Sequence, residues 1–213
     1  KVRGAGSSTI IIRPAPKLHG VEYKVMPDRI VTGTMLVAAA MTNGELTLEN
    51  TRPEQVAIVI SKLRDAGCAI RTEDDTIHIR GTKRPQAVRS IETLPYPGFP
   101  TDMQAQMMAL QTVSEGTSII VENVFENRFK HAVELRKMGA DITIKDRTAI
   151  VHGVKDLYGT EVTAYDLRGG AALVLAALRA KGISKINSVY HIDRGYYNFE
   201  EVLSGLGADI MRV

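Results

Sequence analysis

The feature that most constrains the fold of this chain is a phrase that occurs three times. Each copy reads as the end of a helix, a glycine, a small residue and a short β-type run. The copies cover residues 62–70, 134–142 and 202–210. A second glycine precedes each copy at a nearly constant distance; these glycines are Gly44, Gly116 and Gly182. Three copies of one structural unit therefore make up the chain from about residue 27 onward.

The pattern within each copy predicts a βαβαββ unit. An apolar, alanine-rich helix leads to the first glycine, which we expect to take the left-handed conformation that ends helices. A short strand follows, and then an amphipathic helix that ends at the second glycine. In the first two copies two more strands complete the unit, and they turn at Asp74-Asp75 and Asp146-Arg147.

The third copy is shorter than the other two. It leaves room for one strand between Gly207 and Val213, so we expect another segment to cover the open sheet edge. The repeats predict an α/β fold with units at about 27–81, 95–154 and 165–213, of which the third is incomplete. Because the chain begins at Lys1 rather than methionine, we interpret it as part of a longer polypeptide.

Composition excludes several functional classes. The chain has 27 basic and 24 acidic residues, and a net charge of +3 is too small for a nucleic-acid footprint. Its longest apolar run, 171–178, is too short to span a membrane. Cys68 has no cysteine partner, which fits a reducing cytoplasm and a packed structural thiol. The five histidines show no paired spacing, so we expect no metal site.

Charged residues at the starts of the predicted helices are the candidates for chemistry. Asp28, Asp102 and Asp166 each precede the first helix of a unit, and an aspartate there is usually an N-cap. Arginine near a helix N-terminus opposes the helix dipole at a cost of about 0.3–1 kcal/mol. One such arginine is explained by a surface ion pair, but several favour an anion-binding cleft. The arginines concerned are Arg29, Arg52, Arg128, Arg168 and Arg194.

Four strings of the sequence resemble the enolpyruvyl transferases. They are Tyr-Pro-Gly-Phe-Pro-Thr-Asp-Met-Gln-Ala-Gln at 96–106, Glu-Asn-Arg-Phe at 126–129, Asp-Leu-Arg at 166–168 and His-Ile-Asp-Arg-Gly-Tyr at 191–196. The likeness is to the C-terminal part of the branch that acts on UDP-N-acetylglucosamine. It implies two similar domains, each an inside-out α/β barrel of three βαβαββ units. Residues 1–26 would then be the end of a preceding domain and a crossover, and 27–213 the second domain.

The resemblance also implies a reaction and the residues that perform it. The enolpyruvyl group of phosphoenolpyruvate passes to the 3-hydroxyl of UDP-N-acetylglucosamine with release of phosphate, a cytoplasmic step of peptidoglycan synthesis. Asp102 would take the proton of the hydroxyl, Val124 would line the UDP-sugar site, and Arg194 would reach phosphoenolpyruvate as the domains close. The residues implied near the reacting centre are Arg128, Asp166 and Arg168. No cofactor, metal, nucleic acid or membrane is implied, and the partner is the missing N-terminal domain, without which the chain should be inactive.

Two departures and two alternatives accompany this resemblance. Gly169-Gly170 and Tyr197 differ from the commoner residues of the family at these positions. The family's loop cysteine belongs to the first domain, so Cys68 is not its counterpart. The shikimate-pathway enolpyruvyl transferase shares the fold and phosphoenolpyruvate, but the four strings fit it less well. A non-catalytic paralogue that only binds a sugar nucleotide is the alternative from a different functional class.

Overall fold

The computed structural model describes residues 1–7 and 9–213. The described residues before Arg29 are all exposed, and in them β1 (Val2–Arg3) pairs antiparallel with β2 (Ile11–Ile12). The first repeat contains α1 (Arg29–Thr42), β3 (Glu45–Leu48), α2 (Ala57–Asp65), β4 (Ala69–Glu73) and β5 (Thr76–Arg80). The second contains β6 (Ser90–Glu92), α3 (Gln104–Val113), β7 (Thr117–Val121), α4 (Lys130–Lys137), β8 (Asp141–Lys145) and β9 (Thr148–His152). The third contains β10 (Glu161–Thr163), α5 (Leu167–Arg179), β11 (Lys185–Asn187), α6 (Tyr190–Asp193) and α7 (Phe199–Gly205).

Three sheets follow the three repeats. The second has the order β6-β7-β9-β8, in which β6 and β7 run parallel and the other pairs antiparallel. The first has the order β3-β5-β4, and the third is the parallel pair β10-β11. Within residues 1–7 and 9–213, only the second repeat therefore shows the whole βαβαββ pattern. In the described residues the sheets remain separate, so the α/β class is confirmed while the inside-out barrel stays a prediction.

The predicted strand after Gly207 is wrong. Residues 206–213 form a turn and then an irregular segment that has no strand partner in the part of the chain that the structure describes. A strand needs a neighbouring strand to form its ladder of hydrogen bonds. In the third repeat β10 and β11 pair with each other, and neither pairs with residues 206–213. The two predicted hairpins are confirmed: Glu73 pairs with Thr76 and Lys145 with Thr148.

The second glycine of each repeat ends its helix in the same way. The N–H of Gly67 donates to the carbonyl of Arg64 at 2.9 Å, and the N–H of Cys68 to that of Leu63 at 3.0 Å. This pair of bonds requires a left-handed residue, and it recurs at the two later glycines. The φ values of Gly67, Gly139 and Gly207 are 92°, 96° and 99°.

The first glycine of each repeat does not have the role predicted for it. In the first repeat the left-handed residue that caps α1 is Asn43, with φ 55°. Gly116 and Gly182 have positive φ but lie beyond the helix ends, because α3 and α5 are capped by the extended residues Ser114 and Ala180. These glycines serve the turn into the next strand instead.

The first helices of the repeats form the centre of the molecule. α1, α3 and α5 contact one another, and every residue of α3 is buried. Each also contacts its own sheet, so the sheets lie outside the helices. The second helices bury one face only, as the spacing of Val59, Ile60 and Leu63 predicts. Burial raises the pKa of the Cys68 thiol to about 11, which fits the predicted structural role.

No helix in the described part of the chain is both long enough and apolar enough to cross a membrane.

Candidate active site

The start of α3 differs from the starts of the other two central helices. Pro100 and a 3-10 turn, Thr101–Met103, precede it, and no side chain of the described residues caps this turn. The Asp102 carboxylate instead accepts from the Nη2 atoms of two arginines, at 2.6 Å from Arg128 and 3.3 Å from Arg168. Because 38% of the Asp102 side chain remains exposed, a ligand can reach it.

Each arginine of this pair is held by an aromatic ring. The guanidinium carbon of Arg128 lies 4.6 Å from the ring centroid of Phe125. That of Arg168 lies 5.7 Å from the centroid of Tyr196, whose hydroxyl accepts from Arg168 Nη1 at 3.4 Å. Asp102, Arg128 and Arg168 together carry one excess positive charge. Asp102 therefore neutralises part of the positive charge of these arginines. From the sequence, an external anion was expected to neutralise all of it.

A cluster of three buried polar side chains joins the three repeats next to Arg168. The Tyr196 hydroxyl lies 2.9 Å from Thr34 Oγ1, and Gln106 Nε2 donates to both oxygens, at 3.3 and 3.1 Å. These three side chains come from the third, first and second repeats, and all are buried. Thr34 and Gln106 were not predicted to be site residues, although polar side chains inside an apolar helix are a signal that could have found them.

Asp28 and Asp166 are helix caps. Asp166 Oδ1 accepts from the backbone N–H of Arg168 at 3.0 Å and of Gly169 at 2.7 Å. Asp28 Oδ1 accepts from the N–H of Ile30 at 2.7 Å. Capping is thus confirmed for two of the three aspartates. Asp166 lies beside the arginine pair through Arg168 but is not paired with an arginine side chain in the described structure.

His131 is buried at the start of α4, close to these charges. Burial lowers its pKa to about 4, and the nearby Arg128 also lowers it while Asp166 acts in the opposite direction. The imidazole is therefore neutral at pH 7. Its Nε2 atom has no hydrogen-bond partner among the described residues. From the sequence, His131 was weighed only as a metal ligand, and its place beside these charges was not predicted.

The remaining predicted site residues form no hydrogen bond or ion pair with Asp102 in the described part of the chain. Val124 is 41% exposed in the loop after β7, where its N–H donates to Glu122 at 3.0 Å. Arg194 follows α6 and is exposed; no hydrogen bond or ion pair is found for its side chain within residues 1–7 and 9–213. Arg52 is exposed as well, and Arg29 lies over the ring of Tyr96 at 5.5 Å. Two of the five arginines thus gather at one carboxylate.

Comparison with known proteins decides the family. The family model for EPSP synthase (3-phosphoshikimate 1-carboxyvinyltransferase) matches residues 1–203. The chain belongs to the EPSP synthase family. Within this family it is 50% identical over 213 residues to UDP-N-acetylglucosamine 1-carboxyvinyltransferase 2 of Caldanaerobacter subterraneus subsp. tengcongensis, covering 100% of the chain and 51% of that protein. It is 51% identical to UDP-N-acetylglucosamine 1-carboxyvinyltransferase of Myxococcus xanthus, covering 100% and 50%.

The solved structure of an enolpyruvyl transferase agrees with this family. The enolpyruvyl transferase NikO from Streptomyces tendae superposes with a TM-score of 0.80 at 28% identity, covering 89% of this chain and 45% of that one. EPSP synthase from Acinetobacter baumannii, with a TM-score of 0.66 at 18% identity, shows the shared fold. The chain spans about half the length of the curated relatives that it matches.

Proposed function

We propose that this chain is the second half of a UDP-N-acetylglucosamine 1-carboxyvinyltransferase. The enzyme would transfer the enolpyruvyl group of phosphoenolpyruvate to the 3-hydroxyl of UDP-N-acetylglucosamine and release phosphate. The names of relatives at about half identity over the whole chain favour this substrate pair over shikimate 3-phosphate. The observation that carries the proposal is the exposed Asp102 carboxylate between Arg128 and Arg168.

Asp102 is suited to the part of a general base. A base must lie within hydrogen-bond reach of the proton that it takes, and the two arginines fix the direction of this carboxylate while leaving it accessible. As the sugar hydroxyl loses its proton to Asp102, its oxygen forms the new bond to the enolpyruvyl carbon. The methylene carbon takes up a proton in the same step, which gives a tetrahedral intermediate that bears both the sugar oxygen and the phosphate. The resulting methyl group then gives a proton back as the carbon–oxygen bond to phosphate breaks, so the double bond reforms and inorganic phosphate leaves.

The arginines would meet the negative charge of the substrates. Phosphoenolpyruvate carries a phosphate and a carboxylate, and guanidinium groups bind both with two parallel hydrogen bonds. The excess positive charge around Asp102 supports this role for Arg128 and Arg168, with Asp166 fixing the backbone at Arg168. We assign phosphoenolpyruvate contact to Arg194, whose exposed side chain is free to move, and UDP-sugar contact to Val124.

The chain would need its other half to work. We propose that residues 1–26 are the end of the preceding domain and the crossover, and that 27–213 form the second domain. All described residues up to Asp28 are exposed, which is consistent with a segment that packs elsewhere. The proposal also places the protein in the cytoplasm, where both substrates are made, and requires no cofactor.

The test is an assay of the full-length protein with phosphoenolpyruvate and either UDP-N-acetylglucosamine or shikimate 3-phosphate. The expected result is that phosphate is released from phosphoenolpyruvate when UDP-N-acetylglucosamine is the acceptor and not when shikimate 3-phosphate is. Release with shikimate 3-phosphate alone would make the protein the shikimate-pathway enzyme. Binding of the UDP-sugar without phosphate release would identify a sugar-nucleotide-binding paralogue, and either outcome would overturn the proposal.

A further inference from the structure

Glu122 is a buried carboxylate without an ion-pair partner in the described structure. It follows β7, and 1% of its surface is exposed. A charge at such a site is costly unless hydrogen bonds replace its hydration. Four donors do so here: Thr93 Oγ1 and Thr101 Oγ1, both at 2.8 Å, and the backbone N–H groups of Val124 and Phe125, at 3.0 and 3.1 Å.

Two of the four donors connect Glu122 to the candidate base. Glu122 Oε2 accepts from Thr101, the residue before Asp102, and Oε1 accepts from the N–H of Phe125. The Phe125 ring packs against Arg128, and Arg128 donates to Asp102. The contacts therefore form a closed ring that begins and ends at Glu122. Moving the Glu122 carboxylate would shift the backbone next to Asp102 and the aromatic support of its arginine together.

We propose that Glu122 is a positioning residue for Asp102. It also fixes the loop that carries Val124, so one carboxylate sets the distance between the base and the wall of the UDP-sugar site. Because Glu122 itself is buried, its role is to act through Asp102 rather than on the substrate. The proposal rests on the proposed function, in which Asp102 is the base. A displacement of about 1 Å in a reacting group can cost about 100-fold in rate, so the hydrogen bonds of Glu122 are expected to affect kcat.

The sharpest single change is Thr101→Val in the full-length protein. It removes the hydroxyl that donates to Glu122 Oε2 and keeps the branched shape of the side chain. We expect kcat to fall about 10- to 100-fold while the KM for UDP-N-acetylglucosamine changes less than about threefold. Thr101→Ser keeps the hydroxyl and should restore kcat to near the original value.

Thr117→Val is the matched control. Thr117 is an exposed threonine of β7, and its hydroxyl shares a hydrogen bond of 2.9 Å with His152. The same substitution there removes one threonine hydrogen bond without touching the ring around Asp102. Its kcat and KM should equal those of the unchanged protein. Equal kinetics for Thr101→Val and Thr117→Val would overturn the proposal.

A second pair of variants separates positioning from a loss of folding. In Glu122→Gln the amide nitrogen can take the place of Oε2, where the Thr101 hydroxyl can turn and accept from it. This variant should lose less kcat than Thr101→Val. In an Asp102→Asn background, Thr101→Val should cause no further loss, because two residues that act through one group are not additive.

A full additional loss in the Asp102→Asn background would show a general structural role and overturn the proposal. Failure of the unchanged protein to release phosphate with either acceptor would instead refute the proposed function, and the positioning role would fall with it. Active protein with a normal Thr101→Val variant refutes the positioning role alone.

Discussion

The second repeat and its two neighbours use the same residue types for different purposes. Asp28 and Asp166 accept hydrogen bonds from the first N–H groups of their helices. Asp102 stands before the equivalent helix, but the turn after Pro100 leaves its carboxylate to two arginines. The difference teaches that a repeated fold supplies helix N-termini three times, and that a site can form where one carboxylate is released from capping.

A second position shows the same contrast. Val59, His131 and Phe199 each lie eight residues before the second glycine of their repeat, and all three are buried. The first and third repeats place an apolar side chain there. The second places an imidazole that burial keeps neutral, between Asp166 and Arg128. The second repeat thus has a polar side chain at this interior position, where the first and third repeats have apolar ones.

The largest expected effect is on the carboxylate that is free of capping. Asp102→Asn should lower kcat by about 10²- to 10⁴-fold, the usual contribution of a general base. Its shape is conserved, so UDP-sugar binding should weaken by no more than about tenfold. Steady-state kinetics with a titration of the UDP-sugar measures both. Asp28→Asn is the control, because asparagine also caps helices. Near-normal turnover in Asp102→Asn would make the second repeat equivalent to the others.

His131 should give the second repeat a pH-dependent stability. Its pKa is about 4 in the folded protein, against an ordinary value of 6.5. The unfolded chain therefore binds this proton more strongly, so stability is complete above about pH 6.5. The free energy of unfolding falls as the pH drops from 6.5 to 4, and below pH 4 it is lower by about 3 kcal/mol.

Denaturant unfolding at several pH values measures this slope. His131→Phe, which installs the residue type of the third repeat, should remove most of the slope between pH 6.5 and about 5, above the range in which Glu161 and Glu200, whose pKa values are lowered by their partners, lose their contribution. Substitution of the exposed His19 by Gln should leave this slope unchanged. A slope that persists in His131→Phe would assign the pH dependence to other groups.

The fold was predictable where a single residue decides the local geometry. Gly67, Gly139 and Gly207 end helices because a left-handed residue is needed there, and Asp28 and Asp166 have the side chain that caps a helix. The position of the left-handed residue after α1 was not predictable, because asparagine tolerates this conformation as well. The strand expected after Gly207 did not form because strand formation depends on a neighbour, which local sequence does not show.

The site was only partly predictable because it is made by contacts between repeats. The sequence placed Asp102, Arg128 and Arg168 at helix starts, but it could not show that the two arginines share one carboxylate. Glu122 was missed altogether. Its signal was a carboxylate directly after the apolar strand 117–121, and such a residue is usually exposed; only the four donors around it distinguish it.

Arg194 tests whether the third repeat contributes a second arginine to the site, in addition to Arg168. Its side chain is exposed, so Arg194→Ala should not change stability. If it binds phosphoenolpyruvate, the KM for that substrate should rise about 10- to 100-fold, the value of a hydrogen bond between charged groups. The UDP-sugar KM should change much less. Kinetics with each substrate varied in turn makes the distinction, and equal losses for both would remove Arg194 from phosphoenolpyruvate binding.

The smallest expected effect belongs to the cap of the first repeat. Asp28→Ala removes the acceptor for the N–H of Ile30, which then loses its side-chain partner. The free energy of unfolding should fall by about 1 kcal/mol, equivalent to about 2–4 °C in Tm for a chain of this size. Asp28→Asn should recover most of this loss, and kcat should be unchanged in both variants because Asp28 lies in a repeat whose aspartate is fully used in capping. Calorimetry and the phosphate-release assay on the same samples would measure the two quantities together. A fall in kcat comparable with that of Asp102→Asn would mean that capping and catalysis are not divided among the repeats as the hydrogen bonds of the three aspartates indicate.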